Sequence, residues 1–180
     1  MPNLKKLFDY CPSCGSKDMH FDGVKEFSCS VCSFTYYHNV AAGVGAILEL
    51  GEKIVLIERS KDPGKGKLDF PGGFVEPEES AEEALSREIR EEIGIGINVA
   101  KLEYLGSYPN AYEYKGVVYQ TCDLFFFSRI DAIPTDFDRR EVQAVSLLSP
   151  AEIPPDRIAF QSVRACLSQF LENRKRRDAE

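Results

Sequence analysis

Residues 73 to 95, GFVEPEESAEEALSREIREEIGI, constrain the fold more than any other part of the chain. Pro71-Gly72-Gly73 is a turn signal. Ser80-Ala-Glu-Glu83 is the pattern of a capping box with Ser80 as N-cap. Ala81, Leu85, Ile89 and Ile93 recur every four residues, the apolar stripe of an amphipathic helix. Gly94 stands where a helix ends on a left-handed residue, so the spacing predicts a helix over 81–93. Glu88, Glu91 and Glu92 then fall at i, i+3 and i+4 and share one face. Three ionised carboxylates on one patch repel each other unless a cation sits among them. Oxygen-only ligands select a hard divalent ion, Mg²⁺ or Mn²⁺. Glu83, Arg87 and Glu91 form an i, i+4 ladder beside them. An ordinary solvated acidic face would leave the turn, the cap and the spacings unexplained together.

Length and charge bound the rest. A chain of 180 residues is one domain, or one domain plus a small module, and 43% hydrophobic content supports a packed core. It contains no apolar run of membrane-spanning length, and MPNLKKLFDY lacks the apolar stretch of a secretory leader. The expected location is the cytoplasm, with no membrane partner. A net charge of −7 argues against nonspecific nucleic-acid binding. It permits a polyphosphate partner if cations reverse the local charge. The run Arg174-Lys175-Arg176-Arg177 reads most simply as the solvated last turn of a helix, where cations suit the dipole.

Four of the six cysteines form Cys11-Pro-Ser-Cys14 and Cys29-Ser-Val-Cys32. Two such knuckles in one short segment predict a closed, structural Zn²⁺ site of four thiolates. Disulfides or free thiols are the alternative, and disulfides suit a secreted chain. Residues 8–38 are too few to build a core of their own, so the metal would supply folding energy. The segment resembles a zinc ribbon. Its second knuckle is followed by Ser33 where the first has Gly15. His20 and His38 are expected at the surface or in packing, and Cys122 and Cys166 are expected as buried structural thiols.

Beyond residue 40 the chain reads as strands over 41–50 and 53–59 joined at Gly51-Glu52. A polar loop follows, then the helix over 81–93. Further strands are expected over 97–109, 116–130 and 141–149, and a last helix over 157–176. Strands before, between and after a few helices imply an α/β fold whose mixed sheet is covered on both faces.

Gly73, Glu79, Arg87, Glu88, Ile89, Glu91, Glu92, Gly94 and Ile95 match every fixed position of the Nudix box, G-x5-E-x7-R-E-U-x-E-E-x-G-U with U aliphatic. The chain therefore resembles the Nudix hydrolases. The resemblance implies a Nudix α/β/α sandwich over residues 39–180, preceded by a zinc ribbon over 1–38. It implies hydrolysis of a nucleoside diphosphate linked to another moiety. Glu88, Glu91 and Glu92 would hold Mg²⁺ or Mn²⁺ with the Gly73 carbonyl, and Arg87 would pin the carboxylates. Glu79 would support loop geometry or a water-bridged metal. Glu141 matches a late acid of the family, with Asp138 in reserve.

A ribbon before such a domain resembles the NADH pyrophosphatases, but their SQPWPFPxS motif is absent and the chain has no tryptophan. Pro109 resembles a mark of ADP-ribose pyrophosphatases, and downstream tyrosines are found in dinucleoside polyphosphate hydrolases. Tyr108 and Tyr112, with Tyr114, either stack a base or pack at a strand edge. Arg59 and Lys67, with Lys65 and Lys115, are candidates for substrate phosphates. The expected substrate is ADP-ribose or an NADH- or NAD-like dinucleotide. The other classes are a non-catalytic nucleotide sensor with a zinc-ribbon interaction surface, and an isomerase on the same fold. Family analogy implies a homodimer.

Overall fold

The computed structural model describes residue 4 and residues 7–132 and 137–177. The chain divides into two compact units: Met1–Val40 with Ala111–Gln120, and Ala41–Asn110 with Thr121–Glu180.

The first unit carries a three-stranded antiparallel sheet: β1 (Met19–Phe21), β2 (Glu26–Cys29) and β3 (Thr35–Tyr37), in that order. Phe27 is its buried centre, stacked on Phe21 at 4.5 Å and met edge-on by Phe8 at 5.3 Å. That is a small apolar core in a segment expected to be too short to build one of its own. His38 is buried and its ring lies 5.6 Å from that of Tyr119.

The second unit is built on β4 (Ala41–Leu50) and β5 (Lys53–Arg59), joined by the expected turn. Then come β6 (Leu68–Asp69), β7 (Gly72–Phe74), helix α1 (Ala81–Ile93), β8 (Glu103–Tyr114), β9 (Val117–Arg129), β10 (Val142–Leu148) and helix α2 (Gln161–Arg177), with residues 111–120 of β8 and β9 counted in the first unit. The sheet order is β10-β5-β4-β9-β8, with β6 paired to β5 and β7 to β4. Its β4–β9 pair is parallel over Ala41–Glu49, and the pairs made by β5 and β7 are antiparallel. This is the mixed sheet expected. Strand alternation splits its apolar residues between the two faces. Val44, Ala46, Leu48, Val55 and Ile57 meet Leu85, Ile89 and Ile93 of α1. Ile47, Ile54 and Leu56 meet Val163, Cys166 and Leu167 of α2.

Helix α1 has the predicted bounds. Ser80 Oγ accepts from the Glu83 amide at 3.2 Å, the Ser80 amide donates to Glu83 at 2.9 Å, and Gly94 is left-handed.

Some expectations differ. The strand expected from residue 97 begins at Glu103, because the Asn98 side chain accepts from the Ala100 amide and winds Val99–Lys101 into a 3-10 turn. The last helix begins at Gln161, not 157. Ile158 is drawn into an extended bridge with Leu68, and the Ala159 amide donates to the Leu68 carbonyl. Pro71-Gly72-Gly73 is partly strand, since Gly72 and Gly73 pair with Gly45 and Val44. Cys166 is buried as expected, but Cys122 is exposed. Its register partner Ala42 is exposed too, one step before the apolar cluster under α1 begins at Val44 and Leu124. No helix among the described residues is long and apolar enough to cross a membrane.

Ile89 is fully buried between α1 and the sheet. Ile89→Ala is expected to cost about 2–5 kcal/mol, read as a lower urea midpoint with an unchanged slope.

Candidate active site and metal centre

The acidic site lies where β7 leads into α1. Gly72 has φ +150°, and a Cβ there would sit 2.1 Å from the Val44 carbonyl oxygen. A Cβ on Gly73 would sit 2.4 Å from the Glu88 carboxyl. Both positions therefore exclude a side chain, the first for sheet pairing and the second so that Glu88 can lie over the backbone. Arg87 organises the corner. Its guanidinium donates to both oxygens of Glu79 at 2.7 and 2.9 Å, to Glu88 at 2.8 Å and to the Phe74 carbonyl at 3.1 Å. Its contact with Glu91 is longer, at 3.5 Å. The expected ladder therefore survives only as Arg87–Glu91, because Glu83 belongs to the capping box. Glu79 is one arm of this clamp, which holds its carboxyl below the usual range.

The three box glutamates sit at graded depth. Glu92 is buried, and its carboxylate accepts from the Gly72 amide at 2.9 Å. The Glu88 side chain is 14% exposed and that of Glu91 62%. Burial pushes the Glu92 carboxyl well above its ordinary value against the Gly72 bond, and the charges of Asp69, Glu88 and Glu141 add to the effect. Burial also raises Glu88 against Arg87, with Glu91 and Glu141 adding. Glu141 acts on both groups and belongs to their electrostatic neighbourhood, while its own carboxylate accepts from Lys61 at 2.8 Å. Asp138 is instead held by Arg140, whose bonds lower it to about 2. Excess buried negative charge on oxygen donors fits a hard divalent cation. Among the described residues, only the four cysteines bring three or more ligand atoms within 4.8 Å of one another.

Two acids that sequence reasoning missed lie on the sheet nearby. Asp69 is buried, which raises it to about 6 despite a 2.9 Å bond from Arg59, and the charge of Asp123 adds. Asp123 accepts from the buried Ser162 hydroxyl at 2.6 Å and lies over Gly43. Their signal was present: each is a lone acid inside an apolar strand, in Leu68-Asp69-Phe70 and Cys122-Asp123-Leu124. Arg59 is engaged by Asp69, by the Pro63 carbonyl at 2.8 Å and by the Phe160 ring at 4.9 Å. Lys67 is exposed. Tyr108 is half-buried with its ring 5.9 Å from Phe125, the packing alternative. Tyr112 lies in the first unit.

In the first unit the cysteine sulfurs converge. Cys11 and Cys32 lie 3.6 Å apart and Cys14 and Cys29 3.7 Å. Sulfurs about 2.3 Å from a tetrahedral Zn²⁺ lie roughly 3.8 Å apart, so the spacing fits zinc and excludes S–S bonds. Ser33 adopts φ +59°, close to the +73° of Gly15, so both knuckles turn alike despite the different residues.

The raised Glu92 value has a sign that can be tested. A carboxyl raised by folding keeps a proton that the unfolded chain releases. The native state is then favoured below the unfolded value and loses that advantage as pH rises through the folded one. Glu92→Gln keeps the acceptor for Gly72 and removes the buried charge. In magnesium-free buffer at about pH 7.5 it is expected to melt above wild type, and the gap should close below the ordinary value of 4.5. Identical melting curves at every pH would refute a charge penalty at Glu92.

Comparison with known proteins agrees with the geometry. The NUDIX domain family matches residues 38–167. The chain is 35% identical over 98 residues to the NAD-capped RNA hydrolase NudC of Pseudomonas fluorescens, covering 54% of this chain and 34% of that protein. It is 45% identical over 77 residues to the ADP-ribose pyrophosphatase of Methanocaldococcus jannaschii, covering 43% and 44%. The chain thus spans less than half the length of these curated relatives. The crystal structure of a NUDIX hydrolase from Nitrosomonas europaea superposes with a TM-score of 0.62 at 25% identity, covering 94% of this chain and 93% of that one. A MutT NUDIX hydrolase from Burkholderia pseudomallei gives 0.63 at 23% identity, covering 73% and 98%. Box, fold and family match converge, and the chain belongs to the Nudix family.

Proposed function

We propose that the chain is a Mg²⁺- or Mn²⁺-dependent pyrophosphohydrolase that cleaves the diphosphate of a nucleoside diphosphate derivative, ADP-ribose or an NADH- or NAD-like dinucleotide first among them. The observation that carries this reading is the Arg87 clamp. It fixes Glu88 against Gly73 and Glu79 against the helix, and leaves Glu91 exposed with a single loose ion pair among the described residues. Glu88, Glu91 and Glu92 would hold the ion with the Gly73 carbonyl. Such an ion supplies charge neutralisation of the diphosphate and a lowered pKa for water. Arg87 positions two carboxylates through bonds that leave substrate to others. Glu141, exposed and paired only with Lys61 among the described residues, is the candidate base that takes a proton from the attacking water. Arg59, Lys67 and Tyr108, all in the second unit, are the proposed substrate contacts.

The intact box argues against a non-catalytic sensor. The names of both relatives point to a diphosphate linked to adenosine, and a capped RNA end presents the same linkage. The test is a panel with the purified chain and Mg²⁺, products resolved by mass spectrometry: ADP-ribose, NADH, NAD, a dinucleoside polyphosphate, a nucleotide sugar and an NAD-capped oligoribonucleotide. Turnover of one compound is expected, cut at least about 100-fold by Glu91→Gln and by Glu92→Gln. No turnover, with tight binding of one compound, would replace hydrolysis by sensing.

The four cysteines are the proposed ligands of a structural Zn²⁺; a reducing compartment such as the cytoplasm keeps them free of disulfides, and the metal holds them as thiolates. Elemental analysis is expected to find one zinc per chain, and Cys29→Ser to lose it together with the native fluorescence of the first unit. Full-occupancy protein without zinc would refute the site.

A further inference from the structure

We propose that Asp123 is a specificity-determining residue of the acidic site: its carboxylate accepts from the hydroxyls of a ribose joined to the cleaved diphosphate. The proposed hydrolysis gives this side chain no role, although it is a lone acid in the apolar stretch of β9.

Strand register sets its surroundings. Asp123 pairs with Gly43, and Gly43 pairs with Phe74, so the three form one row across β9, β4 and β7. Side chains paired in register point to the same face of a sheet. Gly43 carries none, which leaves a notch in the row, and Asp123 leans into it. A Cβ on Gly43 would lie 2.7 Å from Asp123 Oδ1 and 3.8 Å from the Gly73 carbonyl oxygen. A side chain at position 43 would therefore push the carboxylate aside. The same notch puts Oδ1 beside the Gly73 carbonyl, a proposed ligand of the ion. Asp123 is half-buried, and Phe74, across the notch, is 39% exposed, so a ligand can reach the row.

The carboxylate is fixed at one oxygen and open at the other. Oδ2 accepts from the Ser162 hydroxyl at 2.6 Å. Ser162 is 1% exposed and lies in the first turn of α2, so a buried donor sets the direction of the carboxylate. Oδ1 accepts no hydrogen bond among the described residues. It is an acceptor held in place without a donor.

The ligand follows from that chemistry. An ionised carboxylate only accepts, and it repels a phosphate, so it selects a hydroxyl or an amine. In a nucleoside diphosphate derivative the group joined to the phosphates is a ribose, and the base lies one sugar further away. A carboxylate that takes a ribose hydroxyl is also how dinucleotide sites on another fold choose their ligand. Beside the Gly73 carbonyl, the ribose is therefore the part that Asp123 meets.

This role for Asp123 rests on the hydrolase reading, and two readouts keep their failures apart. Steady-state hydrolysis with Mg²⁺ is followed for ADP-ribose and for analogues that lack the 2′- and 3′-hydroxyls of one ribose or of the other. Calorimetry follows binding of the same three compounds in methylene-bridged form, whose P–C–P link resists cleavage. Wild type, Asp123→Asn and Ser162→Ala are compared, with melting curves to check folding. Asp123→Asn keeps an acceptor for Ser162 and nearly the same volume. It is expected to raise KM for ADP-ribose about tenfold, with kcat within about threefold, and to weaken the bridged compound in parallel. Removing the hydroxyls of one ribose should cost wild type about the same factor and Asp123→Asn nothing further. Ser162→Ala should give the same pattern at about threefold, because it loosens the carboxylate without removing it. Equal weakening of all three compounds by Asp123→Asn marks a tie between β9 and α2 alone and overturns the proposal, as does an unchanged dependence on the hydroxyls. Binding without turnover in wild type overturns hydrolysis, and the calorimetric comparison then decides the role of Asp123. Neither binding nor turnover in wild type overturns both.

Discussion

Helix α1 has to satisfy two opposed demands, and the rest of the second unit is arranged around that conflict. One stripe, Leu85, Ile89 and Ile93, must be buried to hold the helix on the sheet. The adjoining stripe carries Glu88 and Glu92, which burial penalises. Because i and i+4 positions drift round a helix, the two stripes cannot be kept fully apart. The charge is tolerated through specific bonds: the Gly72 amide to Glu92 and the Arg87 guanidinium to Glu88. Those bonds exist only because Gly72 and Gly73 let the β7 backbone approach both β4 and the helix.

Strand β4 converts this local arrangement into a fold. It pairs with β7 near its start, with β5 near its end and with β9 along its length. Its alternate residues feed the core under α1 and the core under α2. The β4–β9 pair also carries charge at both ends, Asp123 beside Gly43 and Arg129 beside Glu49. Charged ends and an apolar middle are what a strand pair buried on both faces permits, since the ends alone reach polar partners.

The first unit solves a different problem. Its sheet of short strands buries one phenylalanine fully, too little to offset the entropy of ordering the segment. A Zn²⁺ on the four converging sulfurs, as proposed, would supply the missing constraint. The left-handed Ser33 shows how strongly the knuckle geometry is imposed, because a residue with a Cβ adopts the conformation that glycine takes in the other knuckle.

The long strands and the helices of the second unit, the bounds of α1, the four cysteines and the box glutamates were legible in the sequence, because each is written in local spacing: strand patterning, a capping box, a helical repeat, paired CxxC. Family membership followed from the same spacing. What stayed hidden depends on partners distant along the chain. Asp69 and Asp123 enter the site only through strand pairing, and Arg174 meets Glu49 across 125 residues. Cys122 is exposed because of where the helix layer stops, which no local pattern encodes. The late start of α2 has the same origin, a bridge from Ile158 to Leu68 that outcompetes another helical turn. The sequence by itself determined which chemistry the chain carries, because helix and knuckle periodicities place those ligands within a few residues. Only the tertiary structure decided how deeply each charge is buried, because burial is set by what packs across the sheet.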